Sequence, residues 1–405
     1  LYIDKKFYDL NQIGSIFLIG FGKASVPMGK SAINTLGKYL SSGILVTKKF
    51  NGSSIQNIPV IEGAHPVPDQ RSKNASKRII QLLSKTKEDD LVICLISGGG
   101  SSLLTLPVEG VSLNHIQALT KILLECGATI NEINCLRKHI SQVKGGQLAR
   151  FAAPAYIASL ILSDVVSDPL DVIASGPTTP DPTTYLDAIG ILGKYGILNE
   201  VPTQILQHLK LGKTSEISET PKPDDPIFDK VENKIIGNNY LAAKAAISQA
   251  KKHGFNTMLL TTSLQGEAST AGKMVAAVAR QIATTGDPIR RPACIIIGGE
   301  TTVTIRGNGK GGRNQELALS AVNDIAGLPN TMLISLATDG DDGPTDAAGA
   351  VVSGETWERA MASGLNPTDF LQKNDSYEFF NPLMDLLKPG LTGTNVNDLI
   401  FLMLH

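Results

Sequence analysis

Residues 90–102 read DLVICLISGGGSS, an aliphatic and β-branched run that ends in three glycines flanked by serines. Such a continuous apolar run predicts a buried strand of a parallel sheet. Three further segments repeat the pattern of an apolar run and a Gly- or Asp-rich turn: YIASLILSDVVSD (156–168), ACIIIGGE (293–300) and TMLISLATDGDDGPTD (331–346). Because stretches with helical spacing alternate with these runs, the sequence predicts an α/β protein with mainly parallel sheets.

The turns after these strands predict where ligands bind. Loops at the carboxyl ends of parallel strands form the ligand sites of open α/β sheets. Glycines let the backbone approach an anion and present its N–H groups, while aspartates hold a hard cation such as Mg²⁺ through oxygen. Glycine-rich, basic and Asp-rich loops in one chain therefore indicate a nucleotide phosphate together with a divalent cation.

Length and charge predict a folded protein with small-molecule partners. The 405 residues correspond to two or three domains of roughly 150 residues each. The 37 basic and 38 acidic side chains leave a net charge of −1, which provides no field for a nucleic-acid backbone or an anionic membrane. No apolar run reaches the roughly 18 residues of a membrane span and no signal-peptide core is visible, so we expect a cytoplasmic protein. The four scattered cysteines indicate neither zinc nor disulfides.

A polar, proline-rich stretch between about residues 210 and 233 marks the expected domain boundary. After it, KIIGNN (234–239) restarts the alternation of strands and helices. We therefore expect a Rossmann-like α/β domain over residues 1–230 and a second α/β domain over residues 231–405.

Two Gly-rich turns are candidate anion sites. The amides and hydroxyls of SGGGSS suit a phosphate or a carboxylate, although three glycines also suit a sharp strand-to-helix turn. In GFGKAS (20–25), Lys23 lies where a helix is expected to begin, so its ammonium is either a partner for an anion held there or a solvated charge. The predicted anion-binding turn consists of Ser97, Gly98, Gly99, Gly100 and Ser101.

The segment GNGKGG (307–312) satisfies the dinucleotide-binding pattern G-x-G-x-x-G, after a strand-like TTVTIR and before a helix-like NQELALSAVNDIA. A dinucleotide site also needs a strand that ends in an acidic residue about 20 residues later, and none is present. Cations in and directly beside this segment favour instead a clamp for a triphosphate or a transferring phosphoryl group, and they are Arg306, Lys310 and Arg313.

Acidic residues follow several of the predicted strands. Asp164 and Asp339 lie closest to their strands and are the candidates for chemistry or for metal binding, and Glu300 follows a neighbouring strand. Aspartate often bonds its own backbone in turns, so we expect roughly half of the acidic loop residues to be structural. A basic group with two interpretations, an anion site or a solvated helix face, consists of Arg137, Lys138, His139 and Lys144. We assign Arg137 to binding substrate or nucleotide.

The order of these motifs resembles the glycerate 2-kinase family, the proteins with a C-terminal MOFRL domain. The resemblance runs from about residue 16 to residue 399 and is carried by GFGKAS, GAHPVPD, SGGGSSL, LRKHISQVKGGQLA, LSDVVSDPLDVIASGPTTPD, KIIGNN, IGGETTVTIRGNGKGGRNQELAL, ATDGDDGPTDAAGAVV and TGTNVNDL. It implies ATP-dependent phosphorylation of D-glycerate to 2-phosphoglycerate, with Mg²⁺ or another divalent cation. It also implies an active site in a cleft between two α/β domains, the second of MOFRL type.

The resemblance further implies a set of functional positions, which are Lys23, the Ser97–Ser101 turn, Asp164, Asn238, Glu300, Arg313, Asn314, Glu316 and Asp339. For the roles, we expect Lys23 and Arg313 to hold the γ-phosphoryl oxygens. We expect Asp339 or Asp164 to organise Mg²⁺ and the other carboxylate to receive the proton of the substrate hydroxyl.

Two other functions remain open. An NAD(P)H-dependent hydroxypyruvate reductase would explain the G-x-G-x-x-G pattern, but it would not explain the cations and the Asp-rich loops. A non-catalytic phosphosugar-binding protein would explain SGGGSS, but it does not need several acidic strand ends. The expected partners are D-glycerate and ATP rather than a nucleic acid or a membrane, and a homodimer is the commonest assembly of such enzymes.

Overall fold

The computed structural model describes residues 1–405, which form two compact units. The first unit contains Leu1–Ser163 and Asp168–Ile236, and the second contains Asp164–Ser167 and Gly237–His405. Both units combine helices with a central sheet, which confirms the predicted α/β class with two domains. No helix of the structure is both long and apolar enough to span a bilayer, and all four cysteines are free thiols.

The first unit contains nine strands: β1 (Tyr2–Ile3), β2 (Lys6–Phe7), β3 (Ile16–Phe21), β4 (Leu40–Thr47), β5 (Ser54–Ile55), β6 (Ile58–Glu62), β7 (Leu91–Ile96), β8 (Tyr156–Leu162) and β9 (Val231–Gly237). Its helices are α1 (Ser25–Leu36), α2 (Gln70–Leu83), α3 (Gly100–Leu103), α4 (Leu113–Glu125), α5 (Ile130–His139), α6 (Gln147–Ala152), α7 (Tyr185–Lys194) and α8 (Thr203–Lys213). Short 3-10 helices cover Gly37–Tyr39, Ile173–Ser175 and Pro226–Lys230.

The large sheet of the first unit has the order β5-β6-β4-β3-β7-β8-β9. Strands β6, β4, β3, β7 and β8 pair in parallel, as predicted from their apolar runs. Every residue of β7 is buried, which explains why this strand shows no alternation of apolar and polar residues. The chain moves from β3 to β4 and β6 on one side and then returns to β7 on the other side, so the direction of strand addition reverses between β3 and β7.

The strands of the second unit are β10 (Asn256–Leu264), β11 (Ala293–Gly299), β12 (Thr331–Ala337), β13 (Gly349–Ser353), β14 (Leu386–Leu387) and β15 (Asp398–Leu404). Its helices are α9 (Asn239–Lys252), α10 (Ala268–Thr285), α11 (Arg313–Ile325), α12 (Thr356–Ala362), α13 (Pro367–Gln372) and α14 (Ser376–Phe380). The sheet order is β10-β11-β15-β12-β13-β14, and β10 and β11 are parallel. Strand β15 lies antiparallel between β11 and β12, so this sheet is mixed although β11 and β12 run in the same direction.

Both faces of the second sheet are covered. Ile295 and Ile297 of β11 pack with α10 and α11 in the main apolar core of this unit. Cys294 and Ile296, on the opposite face of the same strand, pack against α9. Burial on both faces is the physical reason for the uninterrupted apolar run ACIII.

Two local predictions were wrong. The segment TTVTIR (301–306) forms no strand beyond one isolated bridge at Thr302, because its later N–H groups bond side chains of other loops instead of a neighbouring strand. The segment TINEINCLRKHISQVKGGQLAR (129–150) predicts one long helix with a break at Gly145 and Gly146, but the helix α5 ends at His139, well before these glycines. Residues 140–142 leave the helix because their backbone bonds residues 106–108: the Val108 N–H donates to Ile140 O and the Gln142 N–H donates to Leu106 O.

Candidate active site

Acidic residues from three strands meet at one edge of the second sheet. Asp398 begins β15, and the register places it opposite Gly299 of β11 and Ala337 of β12. Glu300 directly follows β11, and Asp339 follows β12 by two residues. Because β11 and β12 run in the same direction, their carboxyl ends and the start of β15 share this edge.

Arg313, the first residue of α11, binds two of these carboxylates. Its Nε and Nη2 donate to Asp398 Oδ2 and Oδ1 at 2.6 and 2.9 Å, and its Nη1 lies 3.0 Å from Glu300 Oε1. Burial lowers the pKa of the Arg313 guanidinium, but the bonds to Asp398 and the charge of Glu300 outweigh burial and raise it. Arg313 therefore carries a permanent charge, and the two-pronged contact with Asp398 fixes its orientation.

The carboxylates in this cluster outnumber the cations. Burial raises the pKa of Glu300, and the negative charges of Asp398, Asp164 and Asp339 raise it further, while Arg313 opposes them. Asp164 thus acts on the same carboxyl group, in agreement with its place in the second unit. No three acidic, His or Cys side chains are arranged as a metal ligand set. The excess of carboxylate oxygen nevertheless fits a hard divalent cation such as Mg²⁺, which such oxygens bind.

The start of α11 is held by Asp342, a residue of the Asp-rich loop. The N–H groups of Asn314 and Gln315 donate to its carboxylate at 3.1 and 2.9 Å. Asn314, a predicted binding residue, is buried and accepts the Ser335 hydroxyl at 2.7 Å. Burial raises the pKa of Asp342 to about 6. These bonds fix the helix turn that carries Arg313.

The Gly-rich loop 307–312 is bound to the segment that precedes α14. The N–H groups of Arg306 and Gly307 donate to Asn374 Oδ1 at 2.7 and 3.0 Å. The amide nitrogen of Asn374 donates to Glu316 Oε2 at 2.9 Å, and burial raises the pKa of this predicted binding residue. A side chain on Gly307 or Gly309 would collide with residues 373–375, so these glycines permit close packing within the unit.

A cavity of about 610 Å³ opens beside this loop. Its walls include Glu300, Arg313, Glu316 and, from the loop before α11, residues 301–303, 305, 309, 311 and 312. Of the three predicted cations, Arg313 lines the cavity, which therefore joins the Gly-rich loop to the carboxylate cluster. Its volume is in the range of small-molecule sites.

Asn238 has a local structural contact. It precedes α9, and its side chain accepts the Leu241 N–H at 2.8 Å, which caps the helix. This bond satisfies one of the N–H groups that have no partner within the helix.

In the first unit, the two predicted Gly-rich turns are neighbours at the point where the strand order reverses. The Lys23 N–H donates to Gly98 O at 2.8 Å, and the Ala24 N–H donates to the Ser97 hydroxyl oxygen at 3.0 Å. Ser97 is 1% exposed, so its side chain holds the two turns together, whereas Lys23 is exposed. Such a reversal point is where doubly wound sheets bind their ligands.

Gly99 adopts a left-handed conformation with φ +80° and caps α3. A β-carbon at this position would lie 2.8 Å from the His65 ring and 3.5 Å from the Lys23 side chain. Burial lowers the pKa of His65, and the charges of Lys23 and Lys48 lower it further. The turn, Lys23 and a neutral His65 therefore form one local cluster.

Arg137 and Lys144 lie beside Ser101. Lys144 is 4% exposed and donates to Ser101 O and Leu104 O at 2.7 and 2.9 Å. Burial, together with the charge of Arg137, lowers the pKa of Lys144 to about 7. The Ser101 hydroxyl lies 3.0 Å from the hydroxyl of Ser175.

The predicted basic group also contains Lys138 and His139, and for these two residues the interpretation as a solvated helix face was wrong. Lys138 is buried and bonds Asp171 and Asp181 at 3.1 and 3.4 Å. His139 is also buried, and its Nε2 lies 3.3 Å from Glu219 Oε2. The helix face is an internal ion-pair network because acidic residues from the 171–219 region cover it.

Sequence reasoning missed Asp398, the main partner of Arg313. The available signal was its position directly before the last apolar run, within the motif TGTNVNDL. Asp398 comes first in its strand rather than after it, so a search for residues at carboxyl ends of strands passes over it.

Comparison with known proteins followed the same division of the chain. Residues 2–210 match a domain of unknown function, DUF4147, and residues 293–398 match the MOFRL family. The chain is 46% identical to a D-glycerate 2-kinase from Thermotoga maritima over 95% of this chain and 89% of that protein. It is 39% identical to a putative hydroxypyruvate reductase from Agrobacterium vitis over 95% of this chain and 86% of that protein.

The fold matches a solved structure over nearly its whole length. The crystal structure of a glycerate kinase from Thermotoga maritima superposes with a TM-score of 0.91 at 44% identity, covering 98% of this chain and 92% of that one. The sequence and structural matches agree, and the chain belongs to the glycerate 2-kinase family.

Proposed function

We propose that this enzyme transfers the γ-phosphoryl group of ATP to the C2 hydroxyl of D-glycerate and releases 2-phosphoglycerate and ADP. The observation that carries the proposal is the cluster in which Arg313 binds Asp398 and Glu300 while Asp164 and Asp339 act on the same Glu300 carboxyl. Phosphoryl transfer requires fixed positive charge at the transferring group and a carboxylate near the attacking hydroxyl. This cluster contains both kinds of group.

Arg313 is proposed to stabilise the transferring phosphoryl group. Its Nε, Nη1 and Nη2 each make one contact with a carboxylate. A guanidinium has five N–H groups, so two remain for phosphoryl oxygens. Because Asp398 fixes the guanidinium plane, these remaining donors are oriented before the substrate binds.

Asp164 and Asp339 are proposed to divide two tasks. Both aspartates act on the Glu300 carboxyl, so the cluster around Arg313 offers one carboxylate for the substrate hydroxyl and one for the cation. We assign Asp164 to accepting the hydroxyl proton and Asp339 to holding Mg²⁺ or another divalent cation. Such a cation, when bound, supplies positive charge that neutralises the phosphate oxygens of ATP.

The groups of the first unit are proposed to bind anions of the reactants. The exposed ammonium of Lys23 and the Gly-rich turn Ser97–Ser101 suit phosphate oxygens or the glycerate carboxylate. Arg137 is proposed to bind a carboxylate. Asn238, Asn314 and Glu316 make bonds within the second unit, so we propose that they position the groups that touch substrate.

Hydroxypyruvate reduction is the rival function. The G-x-G-x-x-G segment follows no strand, and a side chain on Gly307 or Gly309 would collide with residues 373–375 and one on Gly312 with Asp342. This geometry does not fit a dinucleotide-binding fingerprint, which requires a strand, a tight turn and a helix.

Four expectations stay predictions: the cytoplasmic location, the homodimer, the domain boundary at residue 230 and the active-site cleft between the domains.

The test is to mix the protein with ATP, MgCl₂ and D-glycerate and to follow the products by ³¹P NMR, with NADH and hydroxypyruvate in a parallel reaction. We expect the resonance of 2-phosphoglycerate. Formation of 3-phosphoglycerate would retain the reaction class and change the site of transfer. Oxidation of NADH without a phosphoester would replace the proposal with the reductase.

A further inference from the structure

A second cavity, of about 320 Å³, lies within the first unit beside the SGGGSS turn. Its walls come from residues 66–68, from α3 and from α4 and α5. Pro66, Val67, Ile116, Leu124 and Ile140 give it a largely apolar lining. Binding sites for organic ligands commonly combine such walls with a few polar groups that orient the ligand.

One charged group in this wall has no partner. Arg137 is half-buried and lines the cavity, and its guanidinium makes no hydrogen bond and no ion pair. The other charged residues of the wall have partners: Lys121 pairs with Glu125 at 3.8 Å, and Lys144 donates to two carbonyls. A half-buried guanidinium without an anion is unfavourable, because burial removes water that the protein does not replace.

We propose that this cavity binds an organic acid with an apolar body and that the carboxylate of that acid pairs with Arg137. A carboxylate accepts two parallel N–H bonds from one guanidinium, and the apolar walls then cover the rest of the molecule.

The charge of the site favours a monoanion. Arg137 is the one permanent, unpaired cation of the wall, and the lowered pKa of Lys144, about 7, leaves that neighbour only partly charged at neutral pH. Phosphate monoesters carry close to two negative charges and would remain undercompensated here. D-Glycerate has the required carboxylate but no apolar body that could contact the apolar walls. The cavity therefore favours 2-hydroxy acids that are larger than glycerate. The inference deepens the proposed function and rests on it only in naming D-glycerate as a competing acid.

The test measures binding rather than turnover. The full-length protein is titrated by calorimetry with straight-chain 2-hydroxy acids from lactate to 2-hydroxyhexanoate. We expect affinity to rise with chain length, by up to roughly fourfold for each buried methylene. The neutral amide of 2-hydroxyhexanoate should bind roughly tenfold or more weakly than the acid, since it cannot form a charge-assisted pair.

Variants locate the site. Arg137→Met should weaken every acid by roughly tenfold or more. Arg78→Met is the matched control, because Arg78 lies exposed on α2 and outside the cavity, and it should leave binding unchanged. Leu124→Ser should weaken 2-hydroxyhexanoate but not lactate, since this exposed side chain lines the apolar wall.

The outcomes separate this inference from the proposed function. If D-glycerate displaces the acids that bind through Arg137, the substrate carboxylate binds in this cavity. If D-glycerate does not displace them, the cavity is a separate site for organic acids. Either result supports the inference, even if no phosphoryl transfer is found. Affinity that is independent of chain length, or binding retained in Arg137→Met, would overturn it while leaving glycerate phosphorylation untouched.

Discussion

Arg313 and Asp398 form a two-pronged ion pair in which the first residue of a helix binds the first residue of a strand, at 2.6 and 2.9 Å. Asp398 is buried and Arg313 is partly exposed, so the carboxylate fixes the guanidinium while part of it stays accessible.

Asp398→Asn should lower kcat/KM for phosphorylation by roughly tenfold to a hundredfold, because the guanidinium loses its fixed orientation. Steady-state kinetics measures this loss. Asp385→Asn is the matched control, since Asp385 forms a 2.6 Å pair with Arg359 elsewhere in the same unit. Equal losses in the two variants would mean that Asp398 acts only through stability.

The two candidate aspartates should respond differently to substitution. Asp164→Asn should lower kcat by roughly 10²- to 10⁴-fold, as loss of a general base does. Asp339→Asn should instead raise the Mg²⁺ concentration needed for half-maximal rate. Rates are measured across a MgCl₂ series, with Asp341→Asn, an exposed neighbour, as the control. An unchanged Mg²⁺ dependence in Asp339→Asn would remove this residue from cation binding.

Lys23→Ala should lower turnover roughly a hundredfold with the fold intact, because it removes the ammonium that we propose as a partner of the phosphate charge. Lys30→Ala, an exposed lysine of α1, serves for comparison. Circular dichroism checks the fold of both proteins. Wild-type turnover in Lys23→Ala would exclude this residue from the reaction.

Asn374→Ala should raise the KM for ATP by roughly two- to tenfold, since Arg306 and Gly307, at the start of the Gly-rich loop, lose the acceptor for their N–H groups. The matched control is Asn330→Ala. Both asparagines have left-handed backbones, with φ of 54° and 51°, so both substitutions introduce the same backbone strain. A similar KM change in both variants would trace the effect to strain rather than to the loop.

His139 should make stability depend on pH. Burial lowers its pKa, but its hydrogen bonds to Cys135 and Glu219, together with the charge of Asp181, outweigh burial and raise the pKa to about 9. The stabilisation is complete below the unfolded-state pKa, about 6.5, and is lost as the pH rises through 9. It is on the order of 3 kcal/mol.

Urea unfolding at a series of pH values between 6 and 10 measures this loss. The slope between pH 6.5 and 9 should flatten in His139→Phe. It should persist in His253→Phe, since His253 is exposed on the surface of the second unit. A slope unchanged in His139→Phe would assign the effect to other groups.

The sequence predicted the strands and the turns that follow them because both depend on local pattern. The runs around Ile93, Ile296 and Leu333 became buried strands, and glycines and aspartates follow them as expected. The role of Asp398 could not be predicted, because it depends on β15 entering between two strands far away in sequence. TTVTIR has strand-like composition, but side chains such as that of Asn374 accept hydrogen bonds from the N–H groups with which a neighbouring strand would have paired.

In the second unit, the antiparallel strand β15 makes the order in which the strands are synthesised differ from their order in the sheet. It is made after β10, β11, β12, β13 and β14, yet it lies between β11 and β12. During translation β11 and β12 emerge before the strand that pairs with both of them, and the carboxylate that orients Arg313 arrives only with that strand. The sheet of the second unit can therefore close only after residues 398–404 have left the exit tunnel, and the pair between Arg313 and Asp398 forms in that same step.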